Sequence, residues 1–412
     1  MALLTHGHLA RLSPHFNKEL GELYASTAIR GFAISLVGIF EPIYIFLFFD
    51  RSIPLTLLYF AIVSILFGVL APFGGKMLTR LGIKHAMLWS VPFLFLYFLA
   101  LWQIEKLGIF FLILIPFHVM HNLLYWPAFH IDFARFSEQG KRGKEVGVAN
   151  IVISLASAFG PLVGGLVITF FGFPELFAIV LALLFASTIP LFLSQEIKEE
   201  YPDDFTQAFR ETLKKNRRAK VAALGFAGAE FAVHAYIWPL YLFMLAISFE
   251  ELGAIISSAL VIGMIFIYFI GKASDKMGPE KLLTIGSILN AVFWPIKMFV
   301  RTPFDAFLAH TLHNFGSYSA FIPFAAIFYD WAGKYKTTRD RLVIVREIAL
   351  NVSRGVFLLF LALVFLFTDN LAIVFLMAGF LSLGFILMKE DPMEIDPMEI
   401  AKETAGSVPE GS

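Results

Sequence analysis

Long apolar stretches, separated by short polar connections, fill most of this 412-residue chain. A helix of about twenty apolar residues is long enough to cross the hydrocarbon core of a bilayer. On this pattern we predict twelve transmembrane spans, at residues 24–49, 54–74, 84–103, 108–131, 146–171, 175–194, 220–248, 252–270, 281–300, 304–329, 343–367 and 370–388. The predicted fold is an all-α membrane protein with two six-helix bundles.

Longer polar segments divide the predicted spans into larger parts. These are an N-terminal segment (1–23), a first bundle (24–194), a linker (195–219), a second bundle (220–388) and a tail (389–412). The tail is acidic and rich in Pro, Glu and Ser, a composition typical of disorder. We therefore predict five parts, of which two are membrane bundles.

Basic residues lie mostly on one side of this arrangement. With both termini in the cytoplasm, the outer loops hold only four of the 32 Lys and Arg residues, namely Arg51, Lys106, Lys297 and Arg301. Cytoplasmic loops of membrane proteins carry an excess of Lys and Arg. We therefore predict cytoplasmic termini, and we place the protein in a prokaryotic cytoplasmic membrane.

Composition narrows the possible functions. The chain is 58% hydrophobic with a mean hydropathy of +0.76, which a soluble domain could not bury. Its net charge of zero makes nucleic acid an unexpected partner, and it has no cysteine for thiolate metal sites. No phosphate-binding loop, catalytic triad or zinc-protease helix is present, so we predict neither an enzyme nor a bound cofactor.

Three short motifs of the first bundle recur in the same order in the second. Residues 42–46 (PIYIF) return as 239–243 (PLYLF), and the glycine-rich loop 75–82 returns as 271–278. The motif His-x-x-His-Asn occurs at 118–122 and again at 310–314. The order indicates a duplicated half, and parallel repeats of this kind are typical of secondary transporters.

The repeated loop carries a resemblance to a known family. Residues 75–84 read GKMLTRLGIK, which resembles the G-x-x-x-D-R-x-G-R-K loop of the major facilitator superfamily, and the resemblance extends over essentially all twelve spans. It implies a central cavity lined by spans 1, 4, 7 and 10. It also implies a gating role for Gly75, Arg80, Gly82, Gly271, Asp275, Lys276 and Gly278. Thr79 and Ile83 depart from the usual Asp and Arg, so we expect a weaker or differently built lock in the first half.

A second motif lies in span 5. Residues 160–165 (GPLVGG) resemble the GPxxGG motif of proton-driven antiporters in the same family. The resemblance implies an antiport role for Gly160, Pro161, Gly164 and Gly165. The alternative is that these small residues only let helices pack and bend.

Ionisable residues within the spans are candidates for proton coupling, because a charged group at mid-bilayer costs about 2.5–3.5 kcal/mol. Glu230 and His234 are four residues apart in span 7 and share a helical face. Carboxyl and imidazole groups can load and release protons, so we predict that Glu230 and His234 couple proton movement, with Glu41 as a second candidate. The alternative is a neutral hydrogen-bonded pair.

The remaining polar and aromatic residues of the spans predict a solute cavity. Its predicted lining is His118, His121, Asn122, Trp126, Tyr241, His310, His313, Asn314, Tyr318 and Arg354. An aromatic face with few charges suits an amphipathic organic solute. His118, His121, His310 and His313 allow an alternative, a site for a transition metal such as zinc.

Together these features predict a secondary transporter that works by alternating access. The specific prediction is proton-coupled export of an amphipathic organic compound by a monomer in the lipid bilayer. Two alternatives stay open. One is a transition-metal carrier that uses the paired histidines, and the other is a transporter-shaped sensor or scaffold that moves no solute.

Overall fold

The computed structural model describes residues 14–138, 143–191, 205–333 and 339–389, and all regular elements in these ranges are helices. The start of the N-terminal segment, part of the linker and the tail predicted to be disordered lie outside the described residues. Over the residues that are described, the predicted all-α fold is confirmed.

The helices of the first bundle are α1 (Pro14–Val37), α2 (Glu41–Phe48), α3 (Ile53–Leu81), α4 (Ile83–Trp102), α5 (Ile104–Leu107), α6 (Leu114–Glu138), α7 (Gly143–Phe170) and α8 (Phe173–Leu191). The linker contributes α9 (Phe205–Thr212). The second bundle contains α10 (Arg218–Ala232), α11 (Trp238–Met244), α12 (Phe249–Met277), α13 (Pro279–Ile296), α14 (Pro303–Gly333), α15 (Arg339–Val364) and α16 (Ala372–Leu383). Short 3₁₀ segments precede α6 and α10 and follow α13 and α16.

Many of these helices meet the length and apolarity needed for a membrane span. Among the described residues seven helical segments do so alone, and the pair α1–α2, bent by 40°, makes an eighth. Shorter apolar segments occupy Ser154–Phe170, Phe173–Ile189 and Ala372–Met388. With the 31-residue α14, these segments follow the order of the twelve predicted spans. Large apolar side chains such as Phe367 and Phe380 are 88% and 72% exposed, as lipid contact requires.

Spans 1 and 7 are broken at corresponding places. α2 begins at Glu41 with Pro42 in its first turn, and α11 begins at Trp238 with Pro239 in its first turn. Proline has no N–H and clashes with the preceding turn, so a continuous helix is interrupted there. In span 1 a short turn at residues 38–40 separates α1 from α2. In span 7 the helix instead widens into a π-helical turn, Val233–Ile237. The repeated 42–46 and 239–243 motif therefore introduces one break into each bundle.

The two bundles contact each other mainly along two helix pairs, α3 with α15 and α7 with α12. In the first pair Gly68 lies directly against Val352. In the second pair Gly165 lies against the backbone of Phe249. Glycines let the helix backbones approach closely, which is how membrane helices associate without a hydrophobic driving force.

The span 5 motif lies where α7 meets both α1 and α12. A Cβ atom on Gly160 or Gly164 would collide with α1, and one on Gly165 would collide with α12. The N–H of Leu162 donates to Oγ of Ser257 in α12 at 2.9 Å. The motif therefore packs the two bundles together, whereas its antiport role stays a prediction.

The linker helix α9 lies where α3 and α15 meet. Ala208 is fully buried among residues of these two helices. Glu211 pairs with Arg217 beside it and, at 3.5 Å, with Arg341 near the start of α15. Apolar packing and an ion pair therefore hold this part of the linker against α3 and α15, where the two bundles meet.

The close contact at Gly165 generates a first prediction. Gly165→Ala places a Cβ against the Phe249 carbonyl, and overpacking of this kind costs about 1–3 kcal/mol. We expect a lower melting temperature in detergent and less assembled protein in the membrane. Gly271→Ala is the matched control, because no atom lies within 4 Å of the added methyl there. Equal melting temperatures of the two variants would contradict the packing at α7 and α12.

Candidate transport site

A buried carboxyl group lies at the centre of the second bundle. Oε1 of Glu230 in α10 accepts hydrogen bonds from Nε1 of Trp294 at 2.8 Å and from Nδ2 of Asn290 at 3.1 Å, both in α13. Asn290 also donates to Oγ of Ser382 in α16 at 3.0 Å. Glu230 is 7% exposed, so its hydrogen bonds come from protein groups and not from bulk water. Glu230, in the last turn of α10, therefore takes part in a polar network that connects three helices.

Three imidazoles lie beside this carboxyl. Nε2 of His313 in α14 is 3.8 Å from Oε1 of Glu230. His234, in the π-helical turn, stacks on His313 and His310 with ring centroids 5.3 and 5.9 Å apart. Among the described residues no ion pair joins Glu230 to His234, the pair predicted from their spacing. The structure instead connects Glu230 to His313 on another helix, with His234 next in the stack.

Lys297 is a further member of this cluster. We counted it among the outer-loop bases, but its side chain is fully buried. Its Nζ lies 4.3 Å from the ring centre of Trp238 and 4.0 Å from that of Trp294. Trp294 and Lys297 are three residues apart, so the helical turn that continues α13 puts them on one face, where the ammonium is attracted to the indole. The spacing of three residues between Trp294 and Lys297 was the sequence signal that could have indicated this contact.

The first bundle also contains a buried cationic side chain. Arg30 in α1 is 8% exposed, and its guanidinium lies 3.3 Å from the ring centre of Tyr125. Its Nη2 is 3.2 Å from Nε2 of His121, whose Nδ1 is 3.0 Å from the carbonyl of Ser90. Both contacts are satisfied by an imidazole that donates to Ser90 and accepts from Arg30. His121 therefore connects α6 to α1 and α4.

The other acidic candidate, Glu41, lies at the start of α2. Its Oε1 accepts a hydrogen bond from the hydroxyl of Tyr97 in α4 at 2.5 Å. The Tyr97 ring also contacts His118, with centroids 4.5 Å apart, and its hydroxyl accepts from Tyr59 at 3.5 Å. Tyr97 therefore contacts both Glu41 and His118. The positions of these two residues in the sequence give no indication of this shared contact.

Contacts also join the bundles at the predicted cytoplasmic end. Nδ1 of His130 in α6 is 2.7 Å from the hydroxyl of Tyr329 in α14, and its Nε2 is 3.8 Å from Glu347 in α15. Trp126 stacks on His130 at 5.7 Å and donates to Asn122 at 3.2 Å. We did not predict His130, Tyr329 or Glu347 as site residues, because only tertiary contact between the bundles brings them together.

Arg354 is partly buried in α15, beside a ring of the second bundle. Arg354 donates to Oδ1 of Asn351 at 3.0 Å and lies 4.4 Å over the ring of Phe231. Trp126 and Phe231 are 40% and 44% exposed, so part of each ring is not covered by the protein.

The remaining predicted cavity residues bind neighbouring helices. Nδ2 of Asn314 donates to the Ala259 carbonyl in α12 at 3.4 Å, and the Tyr318 ring lies against Gly263. Tyr241 donates to the Val300 carbonyl at 3.3 Å. These three residues have structural contacts, and their proposed contact with solute stays a prediction.

The predicted gating loops turn at glycines that the backbone requires. Gly82 and Gly278 end α3 and α12 with φ of +85° and +80°, a region that other residues rarely adopt. Arg80 and Lys276 are exposed in the last turns of these helices. The side chain of Asp275 lies outside those described. The positive φ angles therefore explain why glycine occupies these two positions, while the gating role stays a prediction.

The paired histidines do not form a common metal site. His118 and His121 contact Tyr97 and Arg30, whereas His310 and His313 stack with His234. No group of three or more His, Asp or Glu side chains that could hold a metal is found over the described residues. Stacked rings direct their nitrogens side by side and not toward one point. The metal alternative therefore gains no support from this geometry.

The fold and the buried polar groups define a membrane transporter, and comparison with known proteins identifies its family. Residues 23–249, more than half of the chain, match the sequence model of the Major Facilitator Superfamily. The chain belongs to the major facilitator superfamily, as the loop motifs suggested. It is therefore a transporter and not an enzyme.

Curated relatives match part of the chain. The Multi-drug resistance efflux pump PmrA homolog of Lactococcus lactis subsp. lactis (strain IL1403) is 26% identical over 204 residues, which is 47% of this chain and 50% of that protein. The uncharacterized protein YqgE of Bacillus subtilis (strain 168) is 23% identical over 263 residues, 60% of each chain. The chain thus matches between half and three fifths of the length of these relatives.

Solved structures are similar over nearly the whole chain. A D-xylose-proton symporter has a TM-score of 0.67 at 13% identity, covering 93% of this chain and 99% of the symporter. A bacterial homologue of the iron transporter ferroportin, in an inward-facing state, has a TM-score of 0.66 at 15% identity, covering 90% and 98%. At these identities the likeness confirms the transporter fold alone.

The hydrogen bonds to Glu230 generate a second prediction. Trp294→Phe keeps an aromatic ring but removes the N–H that Glu230 accepts, and an unsatisfied buried group costs about 1–3 kcal/mol. We expect a clear fall in the melting temperature of the purified protein. Trp89→Phe is the matched control, because Trp89 is 54% exposed and should tolerate the change. A Trp294→Phe variant as stable as Trp89→Phe would contradict the structural role of this hydrogen bond.

Proposed function

We propose that this transporter exports an amphipathic organic solute in exchange for protons, by alternating access. The partial similarity to a protein described as a multidrug efflux pump supports the choice of solute class. The GPLVGG sequence of span 5 supports antiport, since it resembles the motif of proton-driven antiporters. The proton step is carried by one observation, the buried Glu230 carboxyl beside His313.

Protonation of Glu230 would change the forces between its three helices. Trp294 and Asn290 donate to this carboxyl, and hydrogen bonds to an ionised acceptor are roughly twice as strong as those to a neutral one. A proton on Glu230 therefore loosens α10 from α13. His313 and His234 extend from the carboxyl as further groups that exchange protons, so the cluster offers a short path along α10 and α14.

The solute would bind between the bundles. Trp126 and Phe231 present exposed aromatic surface from α6 and α10, one from each bundle. Arg354 lies over Phe231 and supplies a positive charge at this surface. Planar rings with one polar group match such a lining, because aromatic faces stack and a few polar groups orient the ligand.

Alternating access requires contacts at one end to open while those at the other stay closed. At the predicted cytoplasmic end the bundles are joined by His130, Tyr329 and Glu347. At the predicted outer end they are joined by aromatic contacts such as Phe46 with Phe243, at 6.3 Å. We propose that these two sets of contacts are the inner and outer gates.

The placement of the protein is also proposed, on the distribution of its basic residues. With Lys297 buried, only Arg51, Lys106 and Arg301 remain in the outer loops, which strengthens the charge bias toward the cytoplasm. We propose cytoplasmic termini, a prokaryotic cytoplasmic membrane and a monomer made of the five parts defined above. A metal-ion carrier and a scaffold without transport are the alternatives.

The role of Glu230 generates a third prediction. In proteoliposomes that enclose a pH-sensitive dye, wild-type protein should move protons when ethidium, a planar amphipathic probe, is added. Glu230→Gln should fold, because its amide oxygen accepts the same two hydrogen bonds, but it should lose the proton movement. Glu175→Gln, at an exposed position, is the control and should behave as wild type. Ethidium transport by wild type without protons, or proton movement retained in Glu230→Gln, would contradict the proposal.

The inner gate generates a fourth prediction. Tyr329→Phe removes the hydroxyl bonded to His130, and one hydrogen bond contributes about 0.5–1.5 kcal/mol. The inward-open population should therefore rise about two- to tenfold. The chain has no cysteine, so a single Asn122→Cys reporter measures access from the cytoplasmic side without background. Tyr318→Phe, on the same helix, is the control. Equal reaction rates of the reporter in the two variants would exclude the Tyr329 hydroxyl from the gate.

A further inference from the structure

One buried carboxylate ties the linker helix α9 to the second bundle. Glu211, near the end of α9, is 4% exposed. Its carboxylate pairs with Lys214 at 2.9 Å and with Arg217, the buried residue that directly precedes α10. It also pairs at 3.5 Å with Arg341, in the first turn of α15. Pulling α9 away from α10 and α15 would leave buried charges without partners, which is strongly unfavourable.

The contact of α9 with the first bundle is apolar and small. Ala208 packs in one buried cluster with Ala71 of α3 and with two residues of α15, Ile344 and Ile348. Within this cluster α3 contributes a single methyl group, that of Ala71. Burial of one methyl group stabilises little, so such a contact can break and form again at small cost. The helix α9 therefore has a strong polar attachment to one bundle and a weak apolar contact with the other.

The attachment lies where the predicted cytoplasmic ends of α3 and α15 meet. Leu78 in the last turn of α3 and Val343 near the start of α15 belong to one apolar cluster, and Val343 is two residues beyond Arg341. The loop 75–84 at this end of α3 carries three bases and no acid. Thr79, where an acid was expected, donates to a carbonyl of its own helix at 2.8 Å. This loop therefore supplies no carboxylate for a lock on α15.

Two carboxylates do lie close to the start of α15. Asp340 belongs to α15 itself, so it moves with the second bundle and does not attach the linker to it. Glu211 comes from the linker and reaches Arg341 from outside α15. The position of α9 across the two helices thus depends on Glu211.

We propose that Glu211 is a positioning residue for alternating access, which holds α9 on the second bundle as a strap across the cytoplasmic end of the α3–α15 contact. In the present structure α9 contacts both α3 and α15. When the bundles separate at this end, the ion pairs of Glu211 keep α9 on α15, and the contact with Ala71 of α3 breaks. The strap therefore adds to the contacts that close the cytoplasmic end. The proposal rests on the proposed alternating access, but it depends neither on Glu230 nor on the class of solute.

The test measures how fast a membrane-impermeant maleimide reaches the Asn122→Cys reporter from each side of a proteoliposome. Asn122 is near the middle of span 4, so the reagent reaches it only through an open end. With Glu211→Gln the cytoplasmic rate should rise about tenfold, the lower end of what a hydrogen bond to a charged group contributes. The outer rate should fall, because a population that shifts toward the inward-open state leaves the outward-open state.

Arg210→Gln is the matched control. Arg210 directly precedes Glu211 on α9, but its side chain is exposed, so both rates should equal those of the parent protein. Glu211→Asp keeps the charge on a shorter side chain, and its rates should lie between those of the parent and of Glu211→Gln. If Glu211→Gln does not fold, Arg341→Gln decides, since it releases α9 from α15 and keeps the pairs of Glu211 within the linker. Its rates should change in the same directions.

Two outcomes would overturn the proposal. One is a rise of both rates in Glu211→Gln, which indicates a loosened protein and no shift between the two open states. The other is an unchanged pair of rates in the folded variant. A parent protein whose two rates respond neither to pH nor to Tyr329→Phe would instead contradict alternating access itself. A responsive parent with an unresponsive Glu211→Gln contradicts the strap alone.

Discussion

The structure depends on the satisfaction of buried polar groups inside an apolar bundle. Lipid offers no hydrogen bonds, so each carboxyl, imidazole or ammonium in a span must find its partner on another helix. Glu230 meets Trp294 and Asn290, and Arg30 meets His121 and Tyr125. These contacts specify which helices lie side by side. They also bring ionisable side chains together at a few positions, and these are the groups whose charge a transporter can change.

The contacts between the bundles have a different character from those within them. Within each bundle polar networks cross from helix to helix, whereas the long seams between the bundles are lined by glycines such as Gly68 and Gly165. A seam of small residues holds the bundles close through van der Waals contact and carries few directional bonds. Of the hydrogen bonds between the bundles, that of His130 with Tyr329 lies near an end, whereas that from the N–H of Leu162 to Ser257 lies within the α7–α12 seam. This division suits two rigid bodies that rock about a smooth central contact.

Much of this architecture could be predicted from the chain, because its causes are local or repeated. Span length and apolarity, the proline-linked breaks in spans 1 and 7 and the turn glycines Gly82 and Gly278 act within one helix or one loop. Contacts across helices could not be predicted in the same way. The π-helical turn before Trp238 and the approach of α13 and α14 decide that Glu230 pairs with His313 and not with His234. Lys297 is close to the end of a predicted span, so its position in the sequence was equally consistent with exposure to water and with burial in the bundle.

The central claim is that one bundle rocks against the other and opens opposite ends in turn. Distances between spin labels on cysteines introduced into this cysteine-free chain test it most directly. One pair, at Arg51 and Asn370, reports the outer end, and another, at His85 and Met277, reports the cytoplasmic end. On a change of pH, with and without ethidium, the account predicts that one distance lengthens as the other shortens. Distances that change together, or that do not change at all, would contradict alternating access in this protein.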